Sequence, residues 1–430
     1  MTWQSRARRR RILNESLWLV PAASMLAALL LAPLVRWVDE QTRWTLLGFG
    51  PDSARAVVGA LSASLLTFIV FALSTLLLLA QMASAQFTPR IIVRVFEHPF
   101  TKATLGALAF AWVYSLAALG RVDDRVPQLS IALASLLSLA SVCLFLLLVQ
   151  RVIKAMRPVS FLTHIARDTR TAIASVYPRE FLQVVRSDAE RRPARDHAAM
   201  VKKYEGKPGV LLSFDADTLV GWATRYDGAI EVLPQVGDFL ACGEDLFVLR
   251  GPGRQALADC KLSDCIALGT ERTLEQDPAF GIRIIVDVAN KALSPAINDP
   301  TTAVLAIDQL HYLLHFLAGR QIGHGAIRDA AGRVRLTYRA PEWEDFLTLA
   351  VVEIRTYGAS SAQVTRRLKA MFEHLLRSVP AERAAAILGQ QALLDRAVQR
   401  AFSDREELEL ARQADLQGLG GRRPDTSPPA

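Results

Sequence analysis

Residues 56–89, AVVGALSASLLTFIVFALSTLLLLAQMASAQFTP, run from Arg55 to Arg90 without one charged side chain. A helix rises about 1.5 Å per residue, so roughly 20 residues cross a hydrocarbon core about 30 Å thick. This stretch is longer than that. Backbone polar groups find no water in lipid, so a run this apolar satisfies them internally, as a helix. Three more uncharged runs flank it, at Leu17–Val35, Ala103–Gly120 and Val126–Gln150. The sequence therefore predicts four transmembrane spans, at 17–38, 57–79, 103–119 and 129–152.

The composition agrees. The 430-residue chain has a mean hydropathy of +0.22 and only 21% charged residues, which is apolar for its size. Residues 1–157 carry 16 Lys/Arg against 7 Asp/Glu, leaving 34 against 35 for the rest. The net charge of +8 thus belongs to the apolar third. It is not the basic face of a nucleic-acid-binding domain, and no nucleic-acid partner is expected. Four irregularly placed cysteines exclude a disulfide scaffold and fit a reducing compartment.

Arg6, Arg8, Arg9, Arg10 and Arg11 precede the first run in the manner of a secretory signal. The apolar segment that follows reaches Arg36 without a small-residue cleavage site, which favours a retained helix. The N-terminus, the second connection (Arg90, Arg94, Lys102) and the exit from the fourth span (Arg151, Lys154, Arg157) are basic. In the first connection Arg36, Arg43 and Arg55 are balanced by Asp39, Glu40 and Asp52, and in the third Arg121 and Arg125 by Asp123 and Asp124. The positive-inside rule then places both termini in the cytoplasm. Trp18, Trp37 and Trp44 suit an interfacial belt.

Ala60, Ser64, Thr67, Phe71, Ser74, Leu78, Gln81 and Ala85 recur at steps of three and four, which puts small and polar groups on one stripe of the second span. Ala103, Ala107, Ala111 and Ser115 do the same on the third. Helix packing is one explanation of such stripes and a water-lined path is the other. No ionisable residue is expected mid-span, which argues against a proton-coupled transporter.

Beyond Pro158 the texture is that of a soluble α+β region, expected in the cytoplasm. A connecting helix is predicted at Phe161–Val176, then a hinge or exposed loop from Arg186 to Lys207. A small β module follows over 208–252, with strands at Val210–Phe214, Ala229–Leu233 and Leu246–Leu249 and a short helix capped by Asp215. Residues 253–415 read as mainly helical. Ser294-Pro295 ends one helix; Asp299 and Pro300 cap and start the next. Further helices are expected at Trp343–Tyr357, Ser361–Ser378 and Pro380–Gln413, and a disordered tail over 416–430.

The block Ala292-Leu293-Ser294-Pro295-Ala296-Ile297-Asn298-Asp299-Pro300-Thr301-Thr302-Ala303 resembles a family of predicted bacterial membrane proteins known as domain of unknown function 2254. Gln81–Arg90, Glu271-Arg272-Thr273 through Gln276-Asp277, and Phe280-Gly281 are similar to the same family. The resemblance runs from the first span to about Leu376. It implies an integral membrane protein with a cytoplasmic C-terminal region and brings no activity with it.

The densest polar set is Arg272, Asp277, Arg283, Asp287, Asn290, Lys291, Asn298, Asp299 and Thr302, whose groups form charge-assisted hydrogen bonds. It reads either as a binding or gating surface at the helix start near Asp299, or as helix geometry fixed by an Arg283–Asp287 pair and an Asp299 cap. Asp308, His311 and His315 share a helix face. A solvated face or subunit contact explains them better than a metal, because no glutamate follows His311 as in zinc proteases. Cys260 and Cys265 have no second pair. Phosphate-loop, dinucleotide and Gly-x-Ser-x-Gly motifs are lacking, so neither enzymatic activity nor a cofactor is expected. Two readings lead, and a membrane-bound enzyme is the less favoured third. The first is a homo-oligomeric channel-like protein with Ser64, Thr67, Ser74 and Gln81 along its path. The second is a membrane-anchored sensor or scaffold that binds an ion, small molecule or partner at the polar block.

Overall fold

The computed structural model describes residues 16–42, 48, 50–86, 99–122, 126–155, 157–181, 199–323 and 325–421. They form two compact units that divide at Arg157/Pro158.

The first unit consists of α1 (Leu19–Thr42), α2 (Pro51–Gln86), α3 (Pro99–Leu119) and α4 (Gln128–Ala155). All four are long and apolar enough to cross a bilayer. α2 outruns its expected span at both ends: Pro51 supplies a pre-set first helical residue, and no breaker occurs before Gln86. α3 is the most enclosed helix, with Leu105, Leu108, Ala111, Tyr114 and Ser115 buried. Its approach to α1 depends on Gly106, where a Cβ would stand 2.8 Å from the Ser24 hydroxyl. Large apolar side chains such as Leu30, Leu77, Leu139 and Leu146 face outward, as the outer surface of a membrane bundle requires. Trp18 and Trp37 are exposed near the two ends of α1; Trp44 lies outside the described residues.

Asp39 departs from its expected place in a connection. It is the twenty-first residue of α1, is 7% exposed, and accepts the backbone N–H of Leu129 at 3.2 Å. It thereby satisfies one of the orphan donors at the start of α4.

The second unit opens with α5 (Pro158–Val176), whose Phe161, Leu162, Ile165 and Ile173 form the buried side of an amphipathic helix. The chain then builds β1 (Met200–Lys203), β2 (Gly209–Phe214), α6 (Ala216–Arg225), β3 (Ala229–Val232), β4 (Phe239–Leu240), β5 (Asp245–Arg250), α7 (Arg254–Ala258) and β6 (Ile266–Gly269). The helical part comprises α8 (Pro278–Ala292) and α9 (Pro300–Ala318), then a hairpin of β7 (Gly325–Arg328) and β8 (Val334–Tyr338). It closes with α10 (Trp343–Gly358), α11 (Ala362–Ser378), α12 (Ala381–Ala401) and α13 (Arg405–Ala411). Asp215 caps α6 as expected, accepting Thr218 N–H at 3.2 Å.

Four expectations need correction. The predicted hinge contains β1, whose Val201 and Lys202 pair with Val248 and Phe247 of β5; residues 182–198 lie outside the described residues. The β module is not confined to 208–252. One sheet has the order β1-β5-β3-β8-β7 and the other β4-β2-β6, so β7 and β8 come from the stretch read as helical. Val334-Arg335-Leu336-Thr337-Tyr338 alternates as a strand, but its pairing is parallel to β3 and a hundred residues removed. Arg335, 4% exposed, anchors it by pairing with Asp329 at 2.8 Å and Asp227 at 2.9 Å. The last helix breaks at Phe402, where Asp404 caps α13 through the N–H groups of Glu406 and Glu407. Residues 416–421 are ordered: the buried Arg366 guanidinium donates to the carbonyls of Gln413, Gly420 and Gly421 at 3.2, 2.9 and 2.8 Å. Residues 422–430 lie outside the described residues.

Two cores hold this unit. One joins Leu211, Phe214, Ile230, Phe247, Leu257 and Leu336 of the sheets. The other is helical and contains Ile285, Leu313, Leu314, Phe346 and Phe372, all fully buried.

Candidate functional site

The polar set singled out in the sequence separates into three places. In the first, Arg283 on α8 pairs with Asp287 one turn on at 2.6 Å, as the spacing predicted. It also reaches both carboxylate oxygens of Glu353 on α10, at 2.5 and 2.8 Å. The amide of Asn290 donates to the same carboxylate. Bidentate pairs are among the strongest polar contacts in proteins. Arg283 holds the Glu353 carboxyl below its ordinary range, and Glu353 raises the guanidinium in return. Sequence reasoning missed Glu353: nothing local links residues seventy positions apart.

In the second place, the Ser294–Asp299 turn is closed by backbone bonds from Asn298 N–H to Ser294 and from Asp299 N–H to Ala292. Asn298 adopts a positive φ of 47°, a conformation its short polar side chain tolerates. Asp299 accepts the N–H of Thr302 at 3.1 Å and the Thr302 hydroxyl at 2.5 Å. The cap thus takes up a donor that an anion would need. The exposed part of this turn is Pro295–Asn298.

The third place adjoins a cavity, which Asp277 alone of this group lines. Arg272 donates twice to the Gly237 carbonyl, at 3.0 and 2.7 Å, and its other arm lies 3.8 Å from the Asp277 carboxylate. Gly237 has a φ of +99°, and a Cβ there would stand 2.8 Å from Asp277 Oδ2. Asp277 caps α8 through Phe280 N–H at 3.0 Å, with Pro278 in the first helical position. Its side chain is 6% exposed, and Oδ2 has no hydrogen-bond partner. Burial pushes this carboxyl up to about 6, against the pull of the Phe280 N–H and Arg272.

The cavity is an open cleft of about 1290 Å³. Its walls come from the end of α5 and the residues after it, from β2, β3, β5, β7 and β8, from Ala216 of α6, and from residues 275–279 at the entry to α8. Tyr177, Phe214 and Tyr338 supply aromatic surface, with the Phe214 and Tyr338 ring centres 5.3 Å apart. Burial raises both phenols. Glu231 and Arg250 neutralise each other at 2.9 Å. The Arg179 and Arg339 side chains, also in the wall, make no hydrogen bond or ion pair with another described residue. Of the predicted residues only Asp277 lines this space. The cavity gave no sequence motif, because its lining is gathered from strands and turns spread over more than 160 positions.

On the histidine face His315 is exposed, while His311 and Asp308 are half-buried. Arg367 pairs with Asp308 at 2.6 Å and donates to His311 Nδ1 at 3.1 Å. Guanidinium only donates, so His311 carries its proton on Nε2 and offers it to His374 Nδ1, 2.8 Å away. Burial, together with the positive Arg367, lowers His311 to about 4. No group of three ligating residues placed to hold a metal occurs among the described residues. Cys265 is buried, and its thiol is pushed up to about 12.

In the first unit, Ala60, Ser64, Thr67, Phe71, Ser74, Leu78 and Gln81 are all exposed. At about 100° per residue they lie opposite Ala54, Val58, Leu65, Ala72 and Leu76, which face the bundle. Phe71 meets the Phe145 ring edge-on at 5.9 Å; the other side chains of the stripe point away from the bundle among the described residues, and the Ala85 side chain lies outside them.

A family model described as a predicted membrane protein, domain of unknown function 2254, matches residues 14–374. An uncharacterized protein of Mycobacterium tuberculosis (strain CDC 1551 / Oshkosh) is 26% identical over 369 residues, covering 83% of this chain and 70% of the relative. An uncharacterized protein of Mycobacterium bovis (strain ATCC BAA-935 / AF2122/97) is 26% identical over 371 residues, with the same coverage. No solved structure matches the chain.

Proposed function

Because the chain belongs to the predicted membrane protein family of unknown function 2254, we propose that it acts in the bacterial inner membrane as a channel-like homo-oligomer. In this reading both termini and the C-terminal unit are cytoplasmic, and that unit regulates the path. The supporting observation is the outward stripe Ser64, Thr67, Ser74 and Gln81 on α2. The Thr67 hydroxyl turns back to the Ala63 carbonyl at 3.0 Å, but the Gln81 amide makes no hydrogen bond with another described residue and is costly against lipid tails. A second copy of α2, or water along an axis shared by several copies, removes that cost. No catalytic step is part of the proposal.

The test is oligomeric state in nanodiscs by native mass spectrometry, with disulfide cross-linking of S64C and S74C in a cysteine-free background. Proteoliposome ion flux provides the functional arm. Symmetric cross-links and a flux altered by Q81L support the proposal; a monomer without flux removes it.

A second reading is a membrane-anchored sensor whose C-terminal unit binds a small molecule. The cavity favours it: 1290 Å³ exceeds the usual 300–1,000 Å³ of ligand pockets and has polar groups converging on it. Ligand-dependent stabilisation in a monomer without flux would favour this reading over the first.

A further inference from the structure

We propose that His311 and His374 form a proton-operated latch between α9 and α11, closed while both rings are neutral and opened by acid. The latch is independent of both readings of the function above. It rests on the direction in which the hydrogen bonds run. Arg367 on α11 donates to His311 Nδ1 at 3.1 Å, and His311 Nε2 lies 2.8 Å from His374 Nδ1. A guanidinium only donates, so it sets the direction of every bond that follows. His311 accepts on Nδ1 and donates from Nε2. His374 accepts on Nδ1, and when neutral it keeps its own proton on Nε2.

Both basic lone pairs are thereby spent. A proton added to His311 enters at Nδ1 and points at the Arg367 N–H. One added to His374 enters at Nδ1 and points at the His311 N–H. Either way two donors face each other, and the bond between the helices breaks. The other tautomer of His311 gives no escape, because its Nδ1–H would also meet the guanidinium. Two histidines without the arginine could share an added proton; this pair has no acceptor left for it.

Charge acts in the same direction. The charges felt by the two rings are those of Arg367, Arg377 and His315, whose ring centre lies 5.6 Å from that of His374. Asp308 on the same face is already engaged by Arg367 at 2.6 Å. From α5, Arg170 brings another positive charge over Tyr312 and Phe316 of α9. On the other helices packed here, Asp287 of α8 and Glu353 of α10 are held by Arg283, and Asp395 of α12 by Lys369 at 3.5 Å. Beyond α13, Asp415 is taken up by backbone N–H groups. Burial and these positive neighbours hold His374 below the ordinary 6.5 and His311 at about 4. The folded state therefore binds fewer protons than the unfolded one in this window. The contribution of the closed latch is complete above pH 6.5 and is lost as pH falls towards 4.

The experiment uses the full chain in nanodiscs. Hydrogen exchange is compared at pH 7.5 and pH 5, with rates corrected for the intrinsic effect of pH. Protection over 307–316 and 367–378 should fall about tenfold or more at pH 5, while 278–292 and 343–358, joined by Arg283 and Glu353, keep theirs. In H374N the amide oxygen stands in for Nδ1, accepts from His311 and takes up no proton. Its acid response should shrink to about threefold or less. As a second measurement, needing no stable variant at His374, 15N-labelled histidine rings of the wild type should show His311 protonated on Nε2 at pH 7.5. The proposal is overturned if protection over the two segments does not change, if the loss is uniform over the C-terminal unit, if H374N responds to acid as the wild type does, or if His311 carries its proton on Nδ1. Should H374N not fold, the exchange pattern and the tautomer of the wild type decide.

Discussion

Arg283 on α8 and Glu353 on α10 meet through both arms of the guanidinium, at 2.5 and 2.8 Å, and so fix two helices that begin 65 residues apart in sequence. Each side chain retains about a third of its surface in solvent, 32% and 38%, so water screens the pair. E353Q is expected to cost about 1 kcal/mol, read as a small drop in apparent melting temperature. Glu353 is lowered from 4.5 in the folded state. The advantage over E353Q is therefore complete above pH 4.5 and is lost as pH falls through the lower folded value. A difference that grew towards acid pH would contradict the pair's role.

Asp277 has the opposite sign. Its folded value of about 6 lies above the ordinary 3.8, so the folded state binds more protons between them and loses stability as pH rises through that window. The loss is on the order of 3 kcal/mol. D277N keeps a cap and cannot ionise. It should match the wild type near pH 4 and exceed it at pH 7.5, as measured by chemical denaturation followed by tryptophan fluorescence.

Gly237→Ala forces a side chain into a backbone at φ +99° and against Asp277 Oδ2. The expected cost is about 1–3 kcal/mol. Because Arg272 holds this same turn, the variant should also move the midpoint of the Asp277 titration, seen as a changed pH dependence of melting.

Arg366 is 1% exposed and carries the carbonyls of Gln413, Gly420 and Gly421, while Asp415 accepts the N–H groups of Gln417, Gly418 and Gly420. R366A strips three carbonyls of a charged donor and should cost about 2–4 kcal/mol. Hydrogen exchange should accelerate over 413–421 first; unchanged protection there would refute the assignment.

Local rules carried much of the architecture. The four apolar helices follow from chain length in lipid, and Asp215 and Asp299 act as caps because each cap and the N–H it accepts lie three residues apart, with Pro300 adding to the second. Glu353, Asp227 and Asp308 meet their arginines only after long excursions of the chain, and no spacing rule reaches that far. The α2 stripe was legible as a face, since periodicity shows which residues align. β8 was lost in a helical stretch because five residues are a short sample of alternation. The cavity was invisible for the same reason as Glu353: Arg179, Asp277 and Arg339 converge by topology.

The parallel partnership of Ile230–Val232 with Leu336–Tyr338 has a bearing on how the chain is made. While the ribosome is still producing α8 and α9, β3 has one edge bare. At typical translation speeds of about 5–20 residues per second, that edge waits for several seconds. A polypeptide released before Tyr338 would keep an open sticky strand, and premature termination in this interval should yield aggregates rather than a smaller soluble product.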